Sequence, residues 1–183
     1  LPDTVNSIGD NSFEGCAKLK SAKISTSLQV IGRFAFRGCV ALSDVVIPPS
    51  VTIIKNDAFS NCVALTKMDI PASVTSIGKY AFEGCANMKE VSIPPSVTSI
   101  GDYAFRGCAS LTVFVIPPSI SEIAVGVFED CDKLLQITIP SSVTHIEAGA
   151  FKGCTSLKKI AIPAAIESID NLGIGETTEV TRF

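Results

Sequence analysis

The sequence predicts a repeat solenoid, a chain wound into coils that stack on one another. Three residue types recur every 23 positions, without insertion or deletion, through seven full units and a partial eighth. They are the cysteines Cys16, Cys39, Cys62, Cys85, Cys108, Cys131 and Cys154, the phenylalanines from Phe13 to Phe151, and the isoleucines from Ile8 to Ile169. One extra residue would break the contacts between stacked coils, so this strict period favours a solenoid over residues 1–169.

The unit at residues 93–115 predicts the elements of each coil. The spacing L-x-x-F-x-I at residues 111–116 is typical of a short strand, with Phe114 and Ile116 pointing into the core. Two prolines follow, and because proline has no N–H group the strand ends there. A second short strand is expected over residues 97–100, on another side of the coil.

A helical turn is expected over residues 102–106, with Ala104 and Phe105 pointing inward. The next residue of each unit is always Gly, Asn or Asp, which adopt positive φ at the lowest cost. These residues are Gly15, Gly38, Asn61, Gly84, Gly107, Asp130 and Gly153. The sequence therefore predicts a left-handed residue here, ending the helical turn as a C-cap does.

The phrase I-P-x-S-V-x-x-I-G-x-x-A-F-x-x-C-x-x-L-x-x-V resembles the BspA-like leucine-rich repeat, also called the Treponema pallidum type. The resemblance covers residues 1 to about 170. It implies a right-handed leucine-rich-repeat coil, with a parallel β-sheet on the concave face and turns or short helical pieces opposite. It also implies adhesion to host proteins or cells by a cell-surface or secreted protein, with an intracellular location left open.

Composition and charge argue against two classes of partner. The chain of 183 residues has a net charge of −3 and a pI near 5.2, so no positive field attracts nucleic acid or an anionic membrane. Pro, Ser, Gly or a charged residue interrupts each apolar stretch before the roughly 20 residues of a membrane span. We therefore expect no nucleic-acid partner and no direct membrane insertion.

The repeated cysteines and serines are the first candidates for chemistry. Equivalent cysteines of stacked coils form a straight row about 4.8 Å apart, whereas a metal ion needs ligands that converge on one point. The odd number of cysteines, seven, argues against a complete disulfide framework. His145 is the only histidine, and no base converges on the turn serines. We therefore predict buried reduced thiols, no metal, no cofactor and no enzymatic activity.

The candidate binding residues are those that differ between units on the outward side of the predicted sheet. Three are apolar and form a patch: Val113, Val115 and Leu135. Three are cations that flank this patch: Lys89, Lys158 and Lys159. Exposed apolar groups beside charges are typical of an interface, although exposed valines also occur in strands for their β-propensity alone.

A row of alternating charges is predicted to hold neighbouring units in register. The row precedes the left-handed position and contains Glu14, Arg37, Ser60, Glu83, Arg106, Glu129 and Lys152. A similar row on the sheet face contains Asp44, Lys67 and Glu90. Unlike charges in directly opposed positions stabilise stacked strands, so we interpret both rows as structural.

Two functions from different classes stay open at this stage. The first is a non-catalytic interaction module that binds a protein or a glycan on its concave sheet face. The alternative is a scaffold or spacer segment within a larger protein or assembly. Residues 170–183 depart from the repeat and are expected to form a C-terminal cap or linker, and flanking domains or repeats are expected at both ends.

Overall fold

The computed structural model describes residues 1–2 and 4–183, which wind into a parallel β-solenoid of about seven coils. Six successive coils carry one short strand on each of two faces. The first face, called the sheet face below, contains β1 (Ser21–Lys23), β3 (Asp44–Val46), β5 (Lys67–Asp69), β7 (Glu90–Ser92), β9 (Val113–Val115), β11 (Gln136–Thr138), β13 (Lys159–Ile162) and β14 (Glu179–Arg182). The second face contains β2 (Val30–Ile31), β4 (Ile53–Ile54), β6 (Ser76–Ile77), β8 (Ser99–Ile100), β10 (Glu122–Ile123) and β12 (His145–Ile146).

Strands pair in parallel with the next coil, in the register set by the 23-residue period. On the sheet face the hydrogen-bonded pairs are β1–β3, β5–β7, β9–β11 and β13–β14. On the second face β2, β4, β6 and β8 form one sheet, and β10 pairs with β12. Val113 lies opposite Gln136, one period later, as the repeat predicts. The predicted stacked coils and both predicted strands are thus confirmed, although the strands are shorter than expected.

The core is a column of phenylalanine rings that runs along the solenoid axis. Rings of adjacent coils stack face to face, with centroid distances from 5.1 Å between Phe13 and Phe36 to 6.1 Å between Phe105 and Phe128. Phe114 enters this column from the sheet face, and its ring lies edge-on to Phe128 at 4.6 Å. All of these rings except the half-buried Phe13 are fully buried, so the column makes a large apolar contribution to stability.

The predicted left-handed residues are confirmed, but the predicted helical turn over residues 102–106 is wrong. The residues with positive φ, between 58° and 78°, are Gly15, Gly38, Asn61, Gly84, Gly107, Asp130 and Gly153. Tyr103 is also left-handed, with φ of 57°, so the segment contains two left-handed residues, which a helical turn does not accommodate. Within the described residues every element other than strand is a turn, bend or loop, and no helix is present.

Hydrogen bonding between coils explains why this segment is not helical. A helix would use successive N–H groups within itself. Here the Tyr103 N–H donates to the Val125 carbonyl of the next coil (2.9 Å). The Phe105 N–H likewise donates to the Val127 carbonyl (3.0 Å), while the Ala104 N–H donates within its own turn. Every second N–H therefore stacks the coils, which a helix would prevent.

Charged side chains connect adjacent coils on the turn side, as the alternating row predicts. Arg106 lies 3.6 Å from Glu83, and the Lys152 ammonium lies 2.8 Å from the carboxylate of Glu129. On the sheet face the second predicted row behaves differently, because Lys67 pairs with Asp69 of its own strand at 3.2 Å. The turn-side row is thus made of ion pairs between coils, while the sheet-face row is not.

The last coil is closed by a shorter step. β14 pairs with β13 so that Glu179 lies opposite Lys159, a step of 20 residues instead of 23. The Phe183 N–H donates to the Ile162 carbonyl at 3.2 Å, and the Ala164 N–H donates to the Phe183 carbonyl at 2.8 Å. The tail therefore stacks against the solenoid as a final strand.

Candidate partner-binding surface

The predicted apolar patch lies on the outward side of the sheet face. Strand alternation places Phe114 in the core, while Val113 and Val115 are 46% and 58% exposed. Leu135 is 61% exposed and precedes β11, where its N–H donates to the Thr112 carbonyl at 2.9 Å. Val113 and Val115 therefore lie on β9, and Leu135 immediately precedes β11, the strand that pairs with β9.

An open groove of about 360 Å³ lies beside this patch, where two strand pairs meet. β7 pairs with β5 and β9 pairs with β11, so the groove crosses the junction between β7 and β9. Its lining residues with outward side chains include Lys89, Glu90, Ser92, Thr112, Val113 and Val115. A partner side chain that enters here would contact apolar and charged groups together.

The three predicted cations differ in how they are used. Lys89 lines the groove. The Lys158 ammonium donates to the Thr155 carbonyl at 3.0 Å and stays exposed. The Lys159 ammonium lies 3.3 Å from the carboxylate of Glu179 in the tail strand β14. Lys89 and Lys158 are thus the better candidates to meet a partner, and Lys159 is engaged with the tail.

A second apolar groove on the sheet face was missed by the sequence reasoning. It has a volume of about 450 Å³ and lies over β1 and β3. Val46 is 72% exposed there and occupies the same repeat position as Val115. Pro48, Pro49 and Ile24 complete the apolar lining. The signal was available, because Val46 is an outward apolar residue on a predicted strand.

The cysteine row is structural in six of its seven members. The Cys62 thiol donates to the Phe36 carbonyl of the preceding coil at 3.1 Å, and the same contact recurs from Cys39 to Cys154. Burial raises the pKa of both Cys85 and Cys154 to about 12, so these thiols stay protonated near neutral pH.

Cys16 departs from the prediction of buried thiols. It lies on the first coil and is exposed, because no preceding coil covers it in the described residues. All seven cysteines are free.

No group of three or more His, Cys, Asp or Glu side chains in residues 1–2 and 4–183 is arranged to hold a metal ion. Within the same ranges, no helix has the length and apolar character needed to cross a membrane.

Comparison with known proteins identifies the family. The BspA type leucine rich repeat region matches in six copies, over residues 1–85 and 52–179. The chain belongs to the BspA-type leucine-rich repeat family. The predicted leucine-rich-repeat solenoid, with its parallel sheet on the concave face, is thereby confirmed. Leucine-rich-repeat solenoids generally bind proteins on such a surface and are generally not enzymes.

Solved structures of the BspA type share this fold. The leucine rich repeat protein of T. pallidum is 34% identical, with a TM-score of 0.81, and the match covers 84% of this chain and 72% of that one. A leucine-rich repeat protein from Bacteroides ovatus is 27% identical with a TM-score of 0.73, over 97% of this chain and 55% of that chain. This BspA-type chain therefore spans about half the length of the B. ovatus protein.

A more distant structure shows the same fold only. The leucine rich cell surface protein of Faecalibacterium prausnitzii is 24% identical with a TM-score of 0.54, over 99% of this chain and 77% of that one. No curated protein matches the chain. The BspA-type family thus establishes the architecture, and the partner has to be argued from the surface.

Proposed function

We propose that the chain is a non-catalytic interaction module that binds a protein partner on its concave sheet face. The observation that carries this proposal is the exposed apolar cluster of Val113, Val115 and Leu135 beside the groove between β7 and β9. Contiguous exposed apolar groups with charges at their edge are typical of protein interfaces. A glycan ligand is the alternative outcome of the same test.

We further propose that this binding serves adhesion at the cell surface. The support is the family resemblance, together with the description of the F. prausnitzii protein as a cell surface protein. Surface labelling of intact source cells with a reagent that does not cross membranes tests this location. Labelling of the chain only after lysis would contradict it.

A spacer function is the second candidate, and one observation favours it. The first coil leaves Cys16 exposed and Phe13 only half-buried, which gives a surface on which another part of an assembly could stack. At the C-terminal end we propose that the tail caps the last coil, because β14 pairs in parallel with β13 and covers the open edge of that strand. Deletion of residues 176–183 is then expected to lower the Tm.

The two functions are separated by a double variant of the patch. Partners are captured from the native source with the wild-type chain, identified by mass spectrometry, and then purified for direct titration. Val113→Asp with Leu135→Asp is expected to abolish binding of the purified partner while the Tm changes little, because both side chains are exposed.

Val40→Asp is the matched control, since Val40 is as exposed as Val113, at 46%, and lies outside the sheet-face strands and both grooves. Binding that survives the double variant would contradict recognition by the patch. Crosslinks confined to the first and last coils would support the spacer. Loss of binding with both Val40→Asp and the double variant would indicate a non-specific charge effect.

A further inference from the structure

One repeat position on the sheet face carries a distinctive order of side chains. In four successive coils this position holds, in order, Lys89, Thr112, Leu135 and Lys158. Two cations therefore enclose a small polar residue and an apolar one. The preceding set of four, Lys20, Ser43, Thr66 and Lys89, also has a lysine at each end, but both residues between its lysines are polar, so the apolar Leu135 is what distinguishes the later set.

The spacing of this row follows from coil stacking. Backbone hydrogen bonds close to the row join each successive pair of these coils. The Ser110 N–H donates to the Ala86 carbonyl (3.1 Å), the Leu135 N–H to the Thr112 carbonyl (2.9 Å) and the Ser156 N–H to the Asp132 carbonyl (3.1 Å). Coils stacked by such bonds lie about 4.8 Å apart, so three steps from Lys89 to Lys158 span about 14 Å of backbone. Both lysines and Leu135 are exposed along the row.

An extended peptide matches these distances. Its residues rise by about 3.4 Å each and alternate in direction, so residues i, i+2 and i+4 share one side at about 0, 7 and 14 Å. Residues i and i+4 then meet Lys89 and Lys158. Residue i+2 falls between Thr112 and Leu135, beside Val113.

We propose that the partner presents an extended segment of the pattern acidic–x–apolar–x–acidic, which lies across the coils from Lys89 to Lys158. The inference rests on the proposed function, because it specifies the partner chemistry for the same surface. The two carboxylates pair with the two ammonium groups, and the apolar side chain packs on Leu135 and Val113. Charge pairs at the rim supply orientation and association rate, while the apolar contact is desolvated.

Nearby acidic side chains do not cancel this complementarity. Glu90 follows Lys89 and lines the same groove, but within the described residues the Lys89 ammonium does not lie within ion-pair distance of a carboxylate. At the other end, Glu179 pairs with Lys159 and leaves the neighbouring Lys158 uncompensated by it. The row therefore keeps one cation at each end available to a carboxylate.

Three synthetic peptides test the proposal by fluorescence anisotropy with the full chain. The first carries the sequence Gly-Glu-Ser-Leu-Ser-Glu-Gly with blocked ends. The second moves the leucine by one position, which turns it to the opposite side of an extended chain, and the third replaces both glutamates by lysine. Only the first peptide is expected to bind, and its affinity is expected to fall as the salt concentration rises.

Charge-removing variants locate the site. Lys89→Met and Lys158→Met keep the apolar part of the side chain, and each is expected to weaken binding about five- to tenfold. Lys20→Met is the matched control at the same repeat position of the first coil, and it is expected to leave the affinity unchanged. A Tm measurement on each variant confirms that the fold is retained.

Three results would overturn the inference: no binding of the first peptide up to about 1 mM, equal binding of the first two peptides, or no effect of either lysine variant. None of them touches the proposed function, which stands if the purified partner binds the wild type and not the Val113→Asp, Leu135→Asp double variant. Conversely, peptide binding together with partner binding that ignores the double variant would contradict the proposed function alone.

Discussion

The turn segment of each coil keeps the same residue types from coil to coil, whereas the outward residues of the sheet face vary, as the fifth coil illustrates. In the turn segment, residues 101–108, Phe105 and Cys108 are fully buried, and the same residue types recur in all seven coils. On the sheet face, Val113 is replaced by Gln136 in the next coil and by Lys159 in the one after. The inward side chains remain apolar throughout.

This difference separates stability from recognition within one repeat. The turn segment uses every second N–H to bond to the next coil, so its residues are constrained by core packing and by backbone conformation together. The outward residues of the sheet face contribute side chains that touch solvent, and their exchange costs little. We therefore propose that partner specificity lies on the sheet face, and four changes test how much of the stability the turn segment provides.

Alkaline pH is expected to have the largest effect, because it acts on all buried thiols at once. Burial raises the pKa of Cys85 to about 12, whereas the thiol ionises near 9.0 when exposed. The native state then retains a proton that the unfolded state loses, so stability is complete below pH 9 and falls as pH rises from about 9 to 12. The expected slope is about 1.4 kcal/mol per pH unit for each buried thiol.

Urea unfolding at several pH values measures this slope. Cys85→Ala is expected to lower stability at pH 7 through lost packing, and to make the slope shallower by one thiol. Cys16→Ala is the matched control, since Cys16 is exposed, and it should leave the slope unchanged. A slope that is identical in all three proteins would contradict the role of the buried row.

Phe105→Ala is the largest single change expected at neutral pH. The ring of Phe105 stacks on Phe82 at 5.4 Å and contacts Phe114 at 5.1 Å, and it is fully buried. Its removal leaves a cavity in the phenylalanine column and should lower the free energy of unfolding by about 3–5 kcal/mol. Val115→Ala on the sheet face should change it by less than about 0.5 kcal/mol. Equal losses would remove the contrast between the two regions.

Most of the fold was predictable because each turn-segment signal recurs in every coil. The left-handed position of Gly107 holds only Gly, Asn or Asp, so its conformation was visible in the sequence. The left-handed position of Tyr103 was less visible, since aromatic residues occupy it in three coils and Asn11, Asp57, Gly126 and Gly149 occupy it in the other four. There the stacking of Tyr80 on Tyr103, at 5.1 Å, accompanies a conformation that aromatic residues rarely adopt. The helical turn was predicted from the Tyr103 coil, where an aromatic residue replaces that signal.

The candidate site was only partly predictable, because the strands follow the 23-residue period but the tail strand β14 does not. Alternation along the strand placed Val113 and Val115 outward, as found. Whether a lysine is available depends on what stacks beside it. Lys159 forms an ion pair with Glu179 because β14 follows at a step of 20 residues, and the 23-residue repeat does not predict that step. Which partner binds the patch stays a proposal.

Gly107→Val tests how much the backbone conformation of the turn segment contributes to stability. A Cβ at Gly107 would lie 3.6 Å from Gly84, an ordinary contact, so the cost comes from its φ of 67° and not from a clash. We expect a loss of about 1–2 kcal/mol in the free energy of unfolding. Gly107→Asn is the matched control and should cost less, because Asn61 adopts φ of 59° at the same repeat position. Similar losses for both variants would point to crowding instead of backbone strain.

Arg106→Glu is expected to have the smallest effect, because it changes a solvated side chain of the turn segment. Arg106 lies 3.6 Å from Glu83 and 3.9 Å from Asp130, so a glutamate would stand among acids of both neighbouring coils. The pairs are partly exposed, and a loss of about 0.2–1 kcal/mol is expected at low salt. Salt screens such repulsion, so the loss should shrink as sodium chloride is added.

The matched control is Arg106→Gln, which removes the attraction without adding a negative charge. Its Tm should lie between those of the wild type and Arg106→Glu, and should depend least on salt. A higher Tm for Arg106→Glu would contradict the interpretation that these charges hold the coils in register. It would also mean that the constraint on the turn segment ends at its buried residues, and that its outer charges are as free to change as the outward residues of the sheet face.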